Sequence, residues 1–359
     1  MLGKKRTGAA GWSVPASGRV TLKDLAARLG LAPATISIVI NRTPGSHSIP
    51  ERTRRRILEE AKRLDYRPSF VAQSLRRRRT FTVGVVVPEV SEGYTALVMS
   101  GIEDHLLREG YFYFVVSHRH RPDLVAEYPR ILQERSIEGL IAVDTPCANA
   151  MPIPVVCVSG HEDRDGITNI VLDHAAAARS ALRHLARQGH RRIAFLKGQD
   201  FSSDTEPRWA AIRDAAESLG LPFRPELCAQ IVGDSSSPVL GYNATRELLS
   251  RDGGVTAIFA FNDVSAIGAI RALREAGRRV PEDVSIVGFD DIQSAAFQNP
   301  SLTTIRQPLR EMGELAARTL LARISSPSAP YPRWITVKPQ LVARESTGPA
   351  PKCRGVAPD

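Results

Sequence analysis

The 359-residue chain is 43% apolar and 24% charged, enough for two or three domains with buried cores. No run approaches the ~18 apolar residues of a membrane span, the basic start MLGKKRTGAAGWSVPASG lacks the apolar segment of an export signal, and Cys147, Cys157, Cys228 and Cys353 are too scattered for a disulfide framework or a cysteine zinc site. Charge is lopsided, with 18 Lys/Arg against 5 Asp/Glu through Arg79 and 30 against 33 after it, so a cytoplasmic protein with a polyanion-binding front end and no membrane partner is expected.

A solvated basic tail would lack apolar periodicity, and this segment has it. In TLKDLAARLG, Leu22, Leu25, Ala26 and Leu29 recur at the spacing of one helix face. Thr21 with Asp24 forms a capping box, and Gly30 ends the helix. Pro33 suits the first position of a second helix, with Ile36, Val39 and Ile40 inward and Ala34, Ser37, Ile38 and Asn41 outward. After the turn-forming RTPGSHS, a third helix is expected from about Glu51 to Leu64, with Ile57, Ala61 and Leu64 on one face and four arginines crowding its start. Two short helices across a tight turn, braced by a third, make a helix-turn-helix.

The runs VTLKDLAARLGLAPATISIVIN (Val20–Asn41) and RTRRRILEEAKRLDYRPSFVAQSLRR (Arg52–Arg77) resemble the DNA-binding headpiece of the lactose-repressor family of bacterial transcription regulators. The resemblance extends over nearly the whole chain. It implies a homodimer on double-stranded operator DNA, and a hinge helix that folds on DNA and wedges a leucine into the minor groove. Residue by residue, it places base reading on Pro33, Ala34 and Ile38, and the wedge on Leu75, one turn from Val71 in SFVAQSLRRRR. None of the three base-reading residues can make the paired hydrogen bonds that read guanine or adenine, so readout through thymine methyls and DNA shape is expected. Ala32 departs from the usual Ser or Thr and forgoes a cap that contributes ~1 kcal/mol. Ser37, Asn41, Thr53, Arg54 and Tyr66 supply hydroxyl, amide and guanidinium groups for phosphate contacts that set register without reading sequence.

Beyond Thr80, buried-strand runs stand at 83–87, 112–116, 139–143, 155–158, 193–196, 257–261 and 285–289. Amphipathic helical patterns ending in glycine lie between most of them. This alternation predicts parallel sheets covered on both faces, and some 265 residues exceed one comfortable core, so two sub-domains meeting in a cleft are expected. The family resemblance sharpens this to a periplasmic-binding-protein-like core of two Rossmann-like sub-domains. The fold class is therefore α/β behind an all-α headpiece. The expected organisation is a disordered basic tail to residue 18, the headpiece over 19–66, hinge and linker over 67–80, the core over 81–345 and a disordered tail from Ser346, without a tetramerising heptad.

The resemblance also implies effector contacts at Tyr94, Arg208, Asn262 and Asp290, with the arginine's fork gripping hydroxyl or carboxylate groups and Asp290 accepting from sugar hydroxyls. Asp263 reads equally as a helix cap, Asp291 as structural, Trp209 as packing, and Ala266 and Gly268 as small residues admitting close helix-on-sheet contact. His118 and His120 lie at a strand end near the cleft and, without carboxylate partners, suggest no metal; no cofactor is expected. GxGxxG after a strand, GxxxxGK[ST], GxSxG and HExxH are all missing, so an enzyme is not expected. The expected function is repression, with operator affinity controlled by a small molecule, a sugar or sugar derivative, purines being the alternative.

Overall fold

The computed structural model describes residues 20–41, 43–68, 74, 78–90, 93–147, 151–251 and 254–351. It divides into two compact units, residues 1–80 and 81–359. The expected first tail, with Val71 and the wedge Leu75, lies outside the described residues.

In the first unit, α1 (Leu22–Leu29) starts at Thr21, whose side chain accepts from the Asp24 amide while Asp24 accepts back from Thr21, and ends at Gly30 with φ 66°. Helix α2 (Pro33–Ile40) follows Ala32, which makes no side-chain cap bond. A 3-10 turn over Pro44–Ser48 leads to α3 (Glu51–Arg63). Leu25, Leu29, Ile36, Val39, Ile57 and Ala61 form the core, with Leu64 and Tyr66 packed against it. Glu60 holds α3 to α1 by pairing with Arg28, and the Arg56 guanidinium donates to the Leu29 carbonyl at the end of α1 (3.1 Å).

The second unit runs β1 (Thr82–Val87), α4 (Tyr94–Arg108), β2 (Phe112–Ser117), α5 (Pro122–Glu134), β3 (Leu140–Val143), β4 (Val155–Val158), β5 (Ile167–Leu172), α6 (His174–Arg187) and β6 (Ile193–Lys197). It continues with α7 (Thr205–Ser218), β7 (Cys228–Gln230), α8 (Pro238–Arg251), β8 (Ala257–Phe259), α9 (Asp263–Glu275), β9 (Ser285–Asp290), α10 (Gln293–Ala296), β10 (Thr303–Arg306), α11 (Leu309–Ser325), β11 (Trp334–Val337) and β12 (Gln340–Val342). Two six-stranded sheets result, ordered β11-β5-β4-β3-β1-β2 and β12-β10-β9-β8-β6-β7, parallel except for β12 on β10. Each sheet builds one lobe. The chain crosses between lobes after β5, after β10 and after β11.

All seven expected strand runs are strands, but β5, β7, β10, β11 and β12 were not foreseen. Their signals are weak because polar residues occupy buried positions, such as Thr168 and Asn169 in β5 and Thr303 and Thr304 in β10. Strand β2 is apolar without being buried: at the sheet edge, Phe112 is 60% exposed.

Two helix crossings depend on glycine. A Cβ on Gly101 of α4 would lie 1.9 Å from the Arg310 carbonyl oxygen, and one on Gly313 of α11 would lie 2.0 Å from that of Val98. In the other lobe, Gly241 of α8 and Gly268 of α9 approach in the same way. The helix-on-sheet expectation is corrected for Gly268, whose missing side chain admits a neighbouring helix; Ala266 does share the buried cluster with Ile258 and Ile286 of the sheet.

The expectation of a structureless tail from Ser346 is corrected for residues 346–351. Ser346 is fully buried, its amide and carbonyl bonding Ser301 and Ile286, while His190 donates to the Gly348 carbonyl (3.0 Å) and the Ala350 amide to Gln188 (2.8 Å). Pro, Gly and Ala carry no pattern of their own here; the segment is held through its backbone and through the Ser346 and Thr347 hydroxyls, which bond Thr303, Ile286 and His184.

Candidate functional site

On α2, Pro33, Ala34, Ser37, Ile38 and Asn41 lie within roughly 140° of one side of the helix axis, opposite buried Ile36 and Val39. Pro33 and Ala34 are exposed, and Ser37, Ile38 and Asn41 half-buried. Asn41 also ends the helix, its amide donating to the Ser37 carbonyl (2.7 Å). Thr53 and Arg54 sit in the first turn of α3, whereas Tyr66 packs on the headpiece core.

In the core, Tyr94, Arg208, Asn262 and Asp290 line one cavity between the lobes, together with Asp144, Gln199, Phe201, Ser202 and Asp204. The cavity lies at the carboxyl ends of β3, β6, β8 and β9 and the starts of α4, α7 and α9, where open parallel sheets leave a crevice.

Arg208 is the best-enclosed of these groups. One Nη donates to the Phe261 carbonyl (2.6 Å), the other to Asp204 (3.0 Å), and its Cζ stands over the rings of Phe289 (3.7 Å to the centroid) and Phe261 (4.5 Å). Its Nε is buried with no hydrogen-bond partner, so two of its three donor nitrogens are already used by the protein. Asp204 also bonds His161 (2.9 Å) and His174 (3.1 Å). Burial opposes the Asp204 charge, but His174, His161 and Arg208 together hold the carboxyl well below the usual range.

Asp144, at the end of β3, accepts from the Ser203 amide (2.9 Å) and from the Ser202 and Ser203 hydroxyls, tying the first lobe to the second. Burial and the neighbouring Asp204 push its carboxyl up. Tyr94 donates to Ser159 (2.6 Å), and burial followed by Asp204 and Asp144 raises its phenol well above the ordinary value. Asp290, at φ 113°, accepts from Gln307 (2.7 Å); burial lifts its carboxyl to about 7 against the pull of Arg208.

Since an unfolded aspartate titrates near ~4, folded Asp290 keeps a proton that the unfolded chain has released between those values. The stability this confers is complete below the unfolded value and is lost as pH rises through about 7. Asp290→Asn is therefore expected to flatten the fall in urea midpoint between about pH 5 and about pH 8. Asp144 and Asp263, also raised by burial, keep part of the slope. An unchanged slope in the variant would refute the assignment.

Neighbouring residues have other duties. The cap of α9 is Asn262, which accepts from the Ser265 amide (2.8 Å), while Asp263 is wholly buried and bonds Thr304 and the Ile292 amide. The helix-cap reading of Asp263 is thus corrected. Asp291 pairs with Arg306 and Arg344 (both 2.6 Å), and Trp209 packs edge-on against Phe195. His118 is buried against Thr145, burial and then His120 lowering it to about 4, while His120 stacks on Phe201 at the cavity (3.6 Å between centroids).

The sequence reading did not single out Asp144, Ser202, Asp204, His161 or His174. Asp144 directly follows a buried strand run, a signal that was available. The others converge from three separate segments, which no local pattern shows.

A periplasmic binding protein-like domain matches residues 182–347. The chain is 32% identical over 337 residues to the HTH-type transcriptional repressor PurR of Haemophilus influenzae, covering 91% of this chain and 98% of that one. It is also 32% identical over 340 residues to PurR of Yersinia pestis, covering 92% and 98%. Among solved structures, the Lac repressor dimer bound to operator and the anti-inducer ONPF is similar at TM-score 0.81 and 26% identity, covering 92% of this chain and 99% of that one. The transcriptional regulator CelR–cellobiose complex is similar at TM-score 0.68 and 29% identity, covering 91% and 100%.

Proposed function

The chain belongs to the LacI family of transcriptional regulators, and from that premise we propose that it represses transcription from operator DNA under the control of a sugar or sugar derivative bound between the lobes of its core. The observation that carries the effector half is the convergence of Tyr94, Arg208, Asn262 and Asp290 on one cavity. The bonds from Asp144 to Ser202 and Ser203 cross the cleft, so a ligand that remakes them favours one lobe arrangement over another. Linkage then sets operator affinity by the difference in the ligand's affinity for the two arrangements. Two of the five Arg208 N–H donors are engaged by the protein, which leaves Nε–H and the second hydrogen of each Nη for effector oxygens.

A homodimer fits the exposed apolar residues Phe112 and Phe114 on the β2 edge and Val239 and Phe297 in the second lobe. A cytoplasmic location follows from the proposed role on the chromosome; no described helix is long and apolar enough to cross a membrane.

In the headpiece, we assign Pro33, Ala34 and Ile38 to base contact, Ser37, Asn41, Thr53, Arg54 and Tyr66 to phosphate and Leu75 to the minor groove. Selection from random duplex is expected to yield half-sites with thymines beneath α2. Ile38→Ala should weaken binding to the selected site by about 1 kcal/mol, close to the loss of a buried methylene or two. Replacing the contacted thymine by uracil, which removes the methyl, should weaken it similarly, with no further loss when the two changes are combined. Half-sites specified by guanine edges would defeat this assignment. The wider reading is tested by gel shift of promoter fragments against scrambled duplex, with and without a panel of sugars and purines. Equal binding to both duplexes under every condition would end it.

A further inference from the structure

His161, His174 and Asp204 bring three potential ligand atoms together beside the cleft. His161 follows β4 in the first lobe, His174 opens α6 and Asp204 precedes α7 in the second. The two Nε2 atoms approach the same oxygen, Asp204 Oδ1, at 2.9 and 3.1 Å, and all three ligand atoms lie within 4.8 Å of one another. His174 and Asp204 are more than nine-tenths buried. We propose that these three side chains bind a first-row transition dication, zinc before the others, and that the ion joins the two lobes.

Two imidazoles and one carboxylate are a donor set suited to zinc. Ligand atoms around a tetrahedral zinc stand about 3.3 Å apart, so shifts of a few tenths of an ångström bring the two His–Asp separations into range. Arg208 sits on the other carboxylate oxygen and leaves Oδ1 to the histidines. Asp204 also lines the cavity, so a fourth coordination position can open to water or to an effector hydroxyl. With ligands from both lobes, the ion stabilises the lobe arrangement in which the three groups meet.

The test uses the full-length protein, stripped with a chelator and titrated with Co2+ and then Zn2+. One Co2+ per chain is expected, with the visible absorption of tetrahedral cobalt, displaced by Zn2+. His161→Ala, at a partly exposed position after β4, should weaken uptake by about 100-fold or more, since even partners of ligands change metal affinity 10–100-fold. His161→Cys should restore binding and add a sulfur-to-cobalt charge-transfer band. Cys147→Ser should leave uptake unchanged, because the Cys147–Cys157 pair (3.7 Å) lies outside the triad. No stoichiometric uptake, equal uptake by His161→Ala, or loss on Cys147→Ser instead would each overturn the proposal.

Discussion

Gly101→Ala is expected to lower the unfolding free energy of the core by about 3 kcal/mol or more, at the upper end of overpacking costs. The new methyl would stand 1.9 Å from the Arg310 carbonyl oxygen, and that neighbour is backbone, which cannot rotate aside. Either α4 and α11 separate, loosening buried Val98, Ile102, Met312 and Ala316 together, or the helices bend. Gly348→Ala is the comparison: its Cβ would meet Pro281 at 3.4 Å, an ordinary contact, so a change within about 0.5 kcal/mol is expected. Urea unfolding of both variants checks the pair. Similar midpoints would mean that the crossing can relax, and that the glycine is a convenience rather than a requirement.

Arg208→Met should cost about 3–5 kcal/mol, the range for removing one partner of a buried ion pair. Methionine keeps much of the length but removes the donors that satisfy Asp204 and the Phe261 carbonyl, and the cation over the Phe261 and Phe289 rings. Asp204 retains its two histidines, which favours the lower end of that range. Adding Asp204→Leu should recover part of the loss, because the stranded carboxylate accounts for much of it. In gel shifts the single variant should also lose its response to whichever effector moves the native protein. Native stability in Arg208→Met, read from urea midpoints, would show that the ion pair contributes no more than an exposed one.

These expectations draw on two kinds of information. The α1 cap at Thr21 and Asp24, the stop at Gly30 and the seven buried strand runs were legible because each is local: a side chain bonding three residues away, or an unbroken apolar stretch. The four cavity residues were named through family resemblance rather than through their chemistry. Their partners escaped notice because Asp204 alone gathers His161, His174 and Arg208 from separate segments. Asn262 and Asp263 make the contrast sharpest. Both are short polar side chains at the start of one helix, and only the fold puts Thr304 and the Ile292 amide within reach of Asp263.

Composition and periodicity thus suffice for a basic helical front end and an α/β body, since helix caps and apolar runs depend on nearby residues. Which groups face one another across the cleft, how far Asp290 is lifted and why Gly268 must be glycine depend on distances between segments tens to hundreds of residues apart. Three crossings between lobes set those distances, and chain order records none of them.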